Sequence, residues 1–149
     1  DVTQDDLNNV LDAVKKAVEK GDDTLKGDAG KDVVDKVAEA VKATGKKQLL
    51  VAGVVTEVCV SFPVLSALAE DFDVFVVADA SGTFNPITRD AAWNRMSQAG
   101  VQLMTWFGAA CELHRDWRND IEGLGALFNN HIHDYRNLIT SYTTLTQGK

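Results

Sequence analysis

Apolar residues along this chain follow two rhythms, and the change from one to the other falls near residue 48. Between residues 3 and 20, Leu7, Val10, Leu11, Val14 and Val18 recur at intervals of three and four, with Asp, Asn and Lys between them. That spacing gives an amphipathic helix its buried stripe. Thr3 stands where an N-cap accepts the first free N–H groups, and Gly21 stops the pattern. Residues 31–44 repeat it with Val33, Val34, Val37 and Val41, and Gly45 after Thr44 suits a left-handed C-terminal cap.

After residue 48 the pattern becomes runs. Apolar residues continue unbroken over 49–54 and again over 74–78, as expected of strands buried on both faces of a parallel sheet. Residues 101–106 read as a third, mixed strand. Helices are predicted at about 57–69 and 86–98, and another after Gly108. Pro63 fits the first turn of its helix, where a missing N–H costs nothing. The βαβαβα order calls for an α/β fold, a parallel sheet with right-handed crossovers. Ligands of such sheets sit beyond the carboxyl ends of the strands, where Cys59, Asp79 and Thr105 emerge.

Composition narrows the function. At 149 residues, 45% hydrophobic and 25% charged, the chain suits one soluble globular domain with a sizeable core. Its apolar runs fall short of the roughly 20 residues that span a bilayer. No charged-then-apolar signal opens it, so a membrane partner is not expected. The net charge of −7 argues against a general nucleic-acid binder. Small neutral or polar molecules fit better. Cys59 and Cys111 lie in separate stretches and offer no disulfide framework, which points to reduced thiols in the cytoplasm.

Of these groups Cys59 carries the most chemistry. The run from Gln48 breaks at Gly53 and delivers Cys59 to the start of a helix. Unpaired N–H groups and partial positive charge there stabilise a thiolate. The same N–H groups can hold the oxyanion formed when the thiolate attacks a carbonyl. The alternative is a buried cysteine acting as a small apolar side chain.

Other candidates have plainer readings. Cys111 is expected to pack. Asp79 ends a strand and is either an acid/base group or, preferably, a turn aspartate holding the N–H groups of the Ser81-Gly82 bend. His131 and His133 lie two apart, so they do not share a helix face, and no metal site is expected. Trp106, Phe107, Trp117 and Tyr135 read as core or interface aromatics.

From about Lys42 onward the chain closely resembles the isochorismatase-like cysteine hydrolases, above all their YcaC-type members. The resemblance rests on ATGKKQLLVAGVVTEVCVSFPVLSAL, DVFVVADASGTFN, SQAGVQLMTWFGAACELHRDWRNDI, and NHI followed by DYRNLITSY, in that order. It implies a three-layer αβα fold with a Rossmann-like parallel sheet, as a single domain over 1–149. Residues 1–47 would be its helical, atypical part and 48–149 its family-like part.

For the chemistry, the resemblance implies that Cys59 is the nucleophile of a hydrolase acting on an amide-type C–N bond of a small molecule, without a cofactor. It implies a cis peptide at Val54-Val55 that turns the Val55 N–H toward the same point as that of Cys59, an oxyanion hole. Phe84 and Asn85 would border the pocket as substrate contacts. It also implies a homo-oligomer built with the C-terminal stretch, an octamer being the form it suggests. An exposed edge on a half sheet of three strands is a physical reason to expect such pairing.

The family's aspartate base, at the end of its first strand, and its basic partner find no matching motif. Residues 1–10 resemble the helix that follows that strand, and GDDTLKGDAG at 21–30 lacks the apolar runs of the next two strands. Asp22, Asp23 and Asp28 there read as solvated turn residues. The N-terminal strands are therefore expected to be missing or altered, through truncation, re-engineering or an incomplete sequence. Two function classes follow: the cysteine hydrolase, and a non-catalytic oligomeric scaffold that keeps the fold without the base.

Overall fold

The computed structural model describes residues 37–147. The helix predicted at 3–20, the first part of that at 31–44, and Asp22, Asp23 and Asp28 lie outside the described residues. The chain divides into two compact units, one holding Ser66–Val74 with the residues up to Leu49, the other Leu50–Leu65 with the residues from Phe75 onward.

In the first unit, residues 37–43 are helical (α1). Gly45 ends α1 at φ +65°, its N–H donating to the Lys42 carbonyl at 3.1 Å, as the Thr44-Gly45 pair predicts. Helix α2, Ser61–Ala69, closes here with the same device but a different residue. Asp71 takes φ +61°, its N–H reaching the Leu68 carbonyl, while the Phe72 N–H reaches that of Ala67, both at 3.1 Å. Asp tolerates the left-handed region because its short polar side chain bonds locally. Lys42 pairs with Glu70, and Lys47 stands 5.8 Å over the ring of Phe72.

Three strands form one sheet in the order β1 (Gln48–Val51), β2 (Asp73–Val77), β3 (Gln102–Met104). β2 and β3 run parallel, with Phe75 opposite Gln102 and Val77 opposite Met104. This is the α/β arrangement that the alternation predicts. Val74, Val76 and Val77 are buried, so β2 behaves as a central strand. The expectation for β1 does not hold: its residues alternate between exposed and half-buried, and Leu50 is 49% exposed. The strand order explains this, because β1 lies at the edge of the described sheet.

In the second unit, α3 (Pro86–Ala99) starts with Asn85 accepting the Thr88 N–H and ends at Gly100 with φ +108°. It buries Ala92 and Met96. Helix α4 (Trp106–His114) begins two residues before Gly108, because Thr105 leaves β3 and caps the helix, its hydroxyl accepting the Gly108 N–H at 3.2 Å. That cap also shortens β3 relative to the expected strand.

Asp120 caps α5 (Ile121–His131) by accepting the Gly123 N–H at 2.8 Å. Helix α6 (His133–Gln147) follows, and the Arg136 guanidinium donates back to the carbonyls of Asn129 and Asn130 at 2.9 and 3.1 Å. Phe128 is buried at the centre of an aromatic group, 4.6 Å from Phe107, 5.7 Å from Tyr135 and 6.2 Å from Trp106. Trp117, expected as a core or interface aromatic, is largely exposed and so is not part of this core. Among the described residues, no helix is long and apolar enough to cross a membrane.

Candidate active site

The end of the β1 run is tied to the loop after β2 through main-chain groups. The Gly53 carbonyl accepts the Gly82 N–H at 2.9 Å, and the Gly82 carbonyl accepts both the N–H and the hydroxyl of Thr56 at 2.7 Å. Ser81 braces the same corner: its hydroxyl donates to the Val77 carbonyl at 2.8 Å and receives the Gly53 N–H at 3.4 Å. Val54 and Gly82 form a parallel bridge. A Cβ on Gly82 would lie 2.9 Å from Cγ2 of Val54, so only glycine permits this approach.

The Val54-Val55 peptide is cis, where the resemblance places it. Residues Thr56–Val60 then form one π-helical turn that runs into α2. The Val55 carbonyl receives the N–H groups of Val58 and Val60, each at 3.2 Å, and the buried Ser61 hydroxyl donates to the Thr56 carbonyl at 2.9 Å. Pro63 has no N–H to offer the Cys59 carbonyl one turn back. Cys59 is exposed on this turn. Among the described residues, the Val55 N–H donates to no acceptor.

Two further residues belong to this corner, and sequence reasoning did not name them. Glu57 accepts a hydrogen bond from the Thr83 hydroxyl at 3.0 Å through Oε2, while its Oε1 is buried without a partner among the described residues. Thr83 in turn lies 3.3 Å from the Thr88 hydroxyl, which donates to the Asn85 carbonyl at 3.0 Å. Nothing in the spacing of TEVC signals this link, because its partner is 26 residues away.

The other candidates are placed differently. Asp79 does not hold the Ser81-Gly82 bend: its Oδ1 accepts the Trp106 N–H at 2.7 Å, where α4 offers a free donor. The N–H groups of that bend go to main-chain carbonyls instead, Ser81 to Ala78 and Gly82 to Gly53. Asn85 is occupied as the N-cap of α3, and Phe84 is 82% exposed beside it. Cys111 is exposed on α4 rather than packed, since that helix buries only Ala109. His131 meets the edge of Trp106, 6.1 Å between centroids. Among the described residues no group of three or more His, Cys, Asp or Glu side chains is placed to hold a metal.

A cavity of about 490 Å³ opens beyond the ends of β2 and β3, lined by Asp79, Thr105, Trp106, Phe107, Tyr135 and Leu138 among others. Asp79 and Thr105 thus meet beyond the strand ends as expected, but Cys59 is not in the wall they share.

Residues 7–107 match the Isochorismatase domain family. The chain is 78% identical over 111 residues to the probable hydrolase YcaC of Escherichia coli (strain K12), covering 74% of this chain and 53% of that protein. It is 30% identical over 88 residues to the secreted isochorismatase effector Isc1 of Phytophthora sojae (strain P6497), covering 58% of this chain and 42% of that protein. The crystal structure of the Escherichia coli YcaC gene product, described as an octameric hydrolase of unknown specificity, superposes with a TM-score of 0.69 at 79% identity, covering 72% of this chain and 53% of that one. YcaC from Pseudomonas aeruginosa, solved with hexane-2,5-diol and covalent acrylamide, superposes with a TM-score of 0.69 at 70% identity over the same shares. The chain spans about half the length of these relatives.

Proposed function

The chain belongs to the isochorismatase domain family, and from that premise we propose that it is a hydrolase of amide-type C–N bonds in a small molecule, with Cys59 as the nucleophile. The observation that carries the reading is the turn itself: an exposed thiol four residues after Val55, whose N–H has no acceptor among the described residues. The adduct in the Pseudomonas relative supports it, because acrylamide is an electrophile to which thiolates add.

The reaction has two halves. The Cys59 thiolate forms an S–C bond to the substrate carbonyl, and the C=O electron pair moves onto oxygen. The N–H groups of Val55 and Cys59 hold that oxyanion, an interaction worth on the order of 3 kcal/mol per donor in comparable sites. Collapse of the intermediate breaks the C–N bond, and the leaving nitrogen takes up a proton. Water then attacks the thioester, releasing the acid and restoring the thiol.

The resemblance assigns the proton transfers to an N-terminal aspartate and a basic partner, for which this sequence shows no motif. Asp79 is no substitute while it serves the Trp106 N–H. Phe84 and Asn85 border the substrate in this reading, and the compartment is cytoplasmic.

Self-association is part of the proposal. Leu138, Tyr142 and Leu145 recur at helical spacing on α6, and all three are largely exposed. Such a stripe on a chain whose Escherichia coli relative is octameric supports a homo-oligomer. The same stripe is the observation behind the second reading, an oligomeric scaffold without catalysis.

Assay of small primary amides with the wild-type chain and Cys59→Ala decides between them. Ammonia release that vanishes in the variant is expected; release unchanged in Cys59→Ala ends the hydrolase reading at this residue.

A further inference from the structure

Among the described residues, two side chains of the nucleophile turn reach across to the loop after β2: Thr56 to the Gly82 main chain, and Glu57 to another side chain. The Glu57 Oε2 receives the Thr83 hydroxyl at 3.0 Å; on the loop itself the Thr83 oxygen lies 3.3 Å from that of Thr88, whose hydroxyl donates to the Asn85 carbonyl and whose N–H donates to the Asn85 side chain, both at 3.0 Å. The turn that presents Cys59 and the loop that carries Phe84 and Asn85 are thereby joined by one hydrogen bond between side chains, Thr83 to Glu57. Every other described bond between these segments passes through the main chain of Gly53 and Gly82 or the side chains of Ser81 and Thr56.

The carboxyl group is not there for simple stability. Oε1 is buried without a partner among the described residues, and a buried acceptor left unpaired costs on the order of 1–3 kcal/mol. A residue that only filled space at this position would be better apolar. Two residues apart on a helical turn, Glu57 and Cys59 do not face one another, so Glu57 does not handle the thiol directly.

We propose that Glu57 is a positioning residue, which locks the Cys59 turn to the Thr83–Thr88 loop so that the nucleophile and the substrate border keep one relative placement. The proposal rests on the hydrolase reading for its catalytic consequence, but not for its structural one.

The test measures two things on the full chain in the wild type, Glu57→Ala, Glu57→Gln and Thr83→Val: amide hydrogen exchange, and iodoacetamide labelling of Cys59 with Cys111 as internal control. In Glu57→Ala and Thr83→Val, exchange is expected to quicken together over 56–60 and 83–88, and the Cys59 labelling rate to change about tenfold relative to Cys111. Glu57→Gln keeps an acceptor for Thr83, so it is expected to restore both.

Exchange over 83–88 that stays at the wild-type rate in both Glu57→Ala and Thr83→Val overturns the proposal, whatever Cys59 does. So does a Gln variant no closer to wild type than Ala. If exchange responds and is rescued while wild-type Cys59 labels no faster than Cys111, the lock stands and the hydrolase reading falls. Thr83→Val supplies the answer should Glu57→Ala not fold.

Discussion

Gly82 has no room for a side chain because Val54 occupies it: a Cβ would come within 2.9 Å of Cγ2 and 3.4 Å of Cγ1. This contact sets the spacing between the residues leading into the Cys59 turn and the loop after β2. Gly82→Ala is therefore expected to destabilise the protein by about 1–3 kcal/mol, the usual penalty for forcing an extra carbon into a packed site. Denaturant unfolding measures it. The double variant Val54→Ala with Gly82→Ala should recover much of the loss, because the two residues touch and their effects do not add.

Asp79 serves the first free N–H of α4. Asp79→Ala is expected to cost about 1 kcal/mol, as for loss of a helix cap, with Asp79→Asn costing less because an amide oxygen still accepts. The same pair separates structure from chemistry. Were Asp79 an acid/base group, Asp79→Asn would abolish turnover while leaving the melting temperature near wild type.

Helices α2 and α3 end alike, one on Asp71 at φ +61° and the other on Gly100 at φ +108°. Only glycine enters that region freely. Asp71→Gly is expected to raise stability by up to about 1 kcal/mol, and Gly100→Ala to lower it by a similar amount. Thermal melting of the two variants side by side should move in opposite directions.

The Arg118 guanidinium, and the Arg118 N–H with it, hold the Asp116 carboxyl below its ordinary range and raise Arg118 in return. A depressed folded value means that the contribution is complete above the unfolded value, about 3.9, and disappears as pH falls through the folded one. Arg118→Gln should shift the Asp116 titration upward toward the unfolded value in an NMR pH series. An unchanged midpoint would remove Arg118 as its cause.

The elements that the sequence made legible are those whose signals are local. Gly45 marks a helix end by backbone chemistry alone, and the Val-rich run of β2 reads directly as a buried strand. The cis Val54-Val55 bond was legible through resemblance, which carries geometry that periodicity does not.

What was missed depends on partners far away in sequence. The role of Asp79 is set by Trp106, that of Glu57 by Thr83, and the exposure of β1 by its place in the strand order. Phe128 had a local signal, since Leu124, Phe128 and His131 share a helical face. The small-residue segment around Gly108 misled because Thr105, not the glycine, starts α4.

The Cys59 turn is held mainly by peptide groups: the carbonyls of Gly82 and Val55 take up the N–H groups of Thr56, Val58 and Val60. The side chains of Val54 and Val58 stand largely in the open, 71% and 45% exposed, and anchor none of these bonds. Attachment thus rests on the main chain, and these two side chains are left out of it. A library that varies position 58 alone is expected to leave the thiol unmoved, whereas position 54 is coupled to Gly82 and must be varied with it.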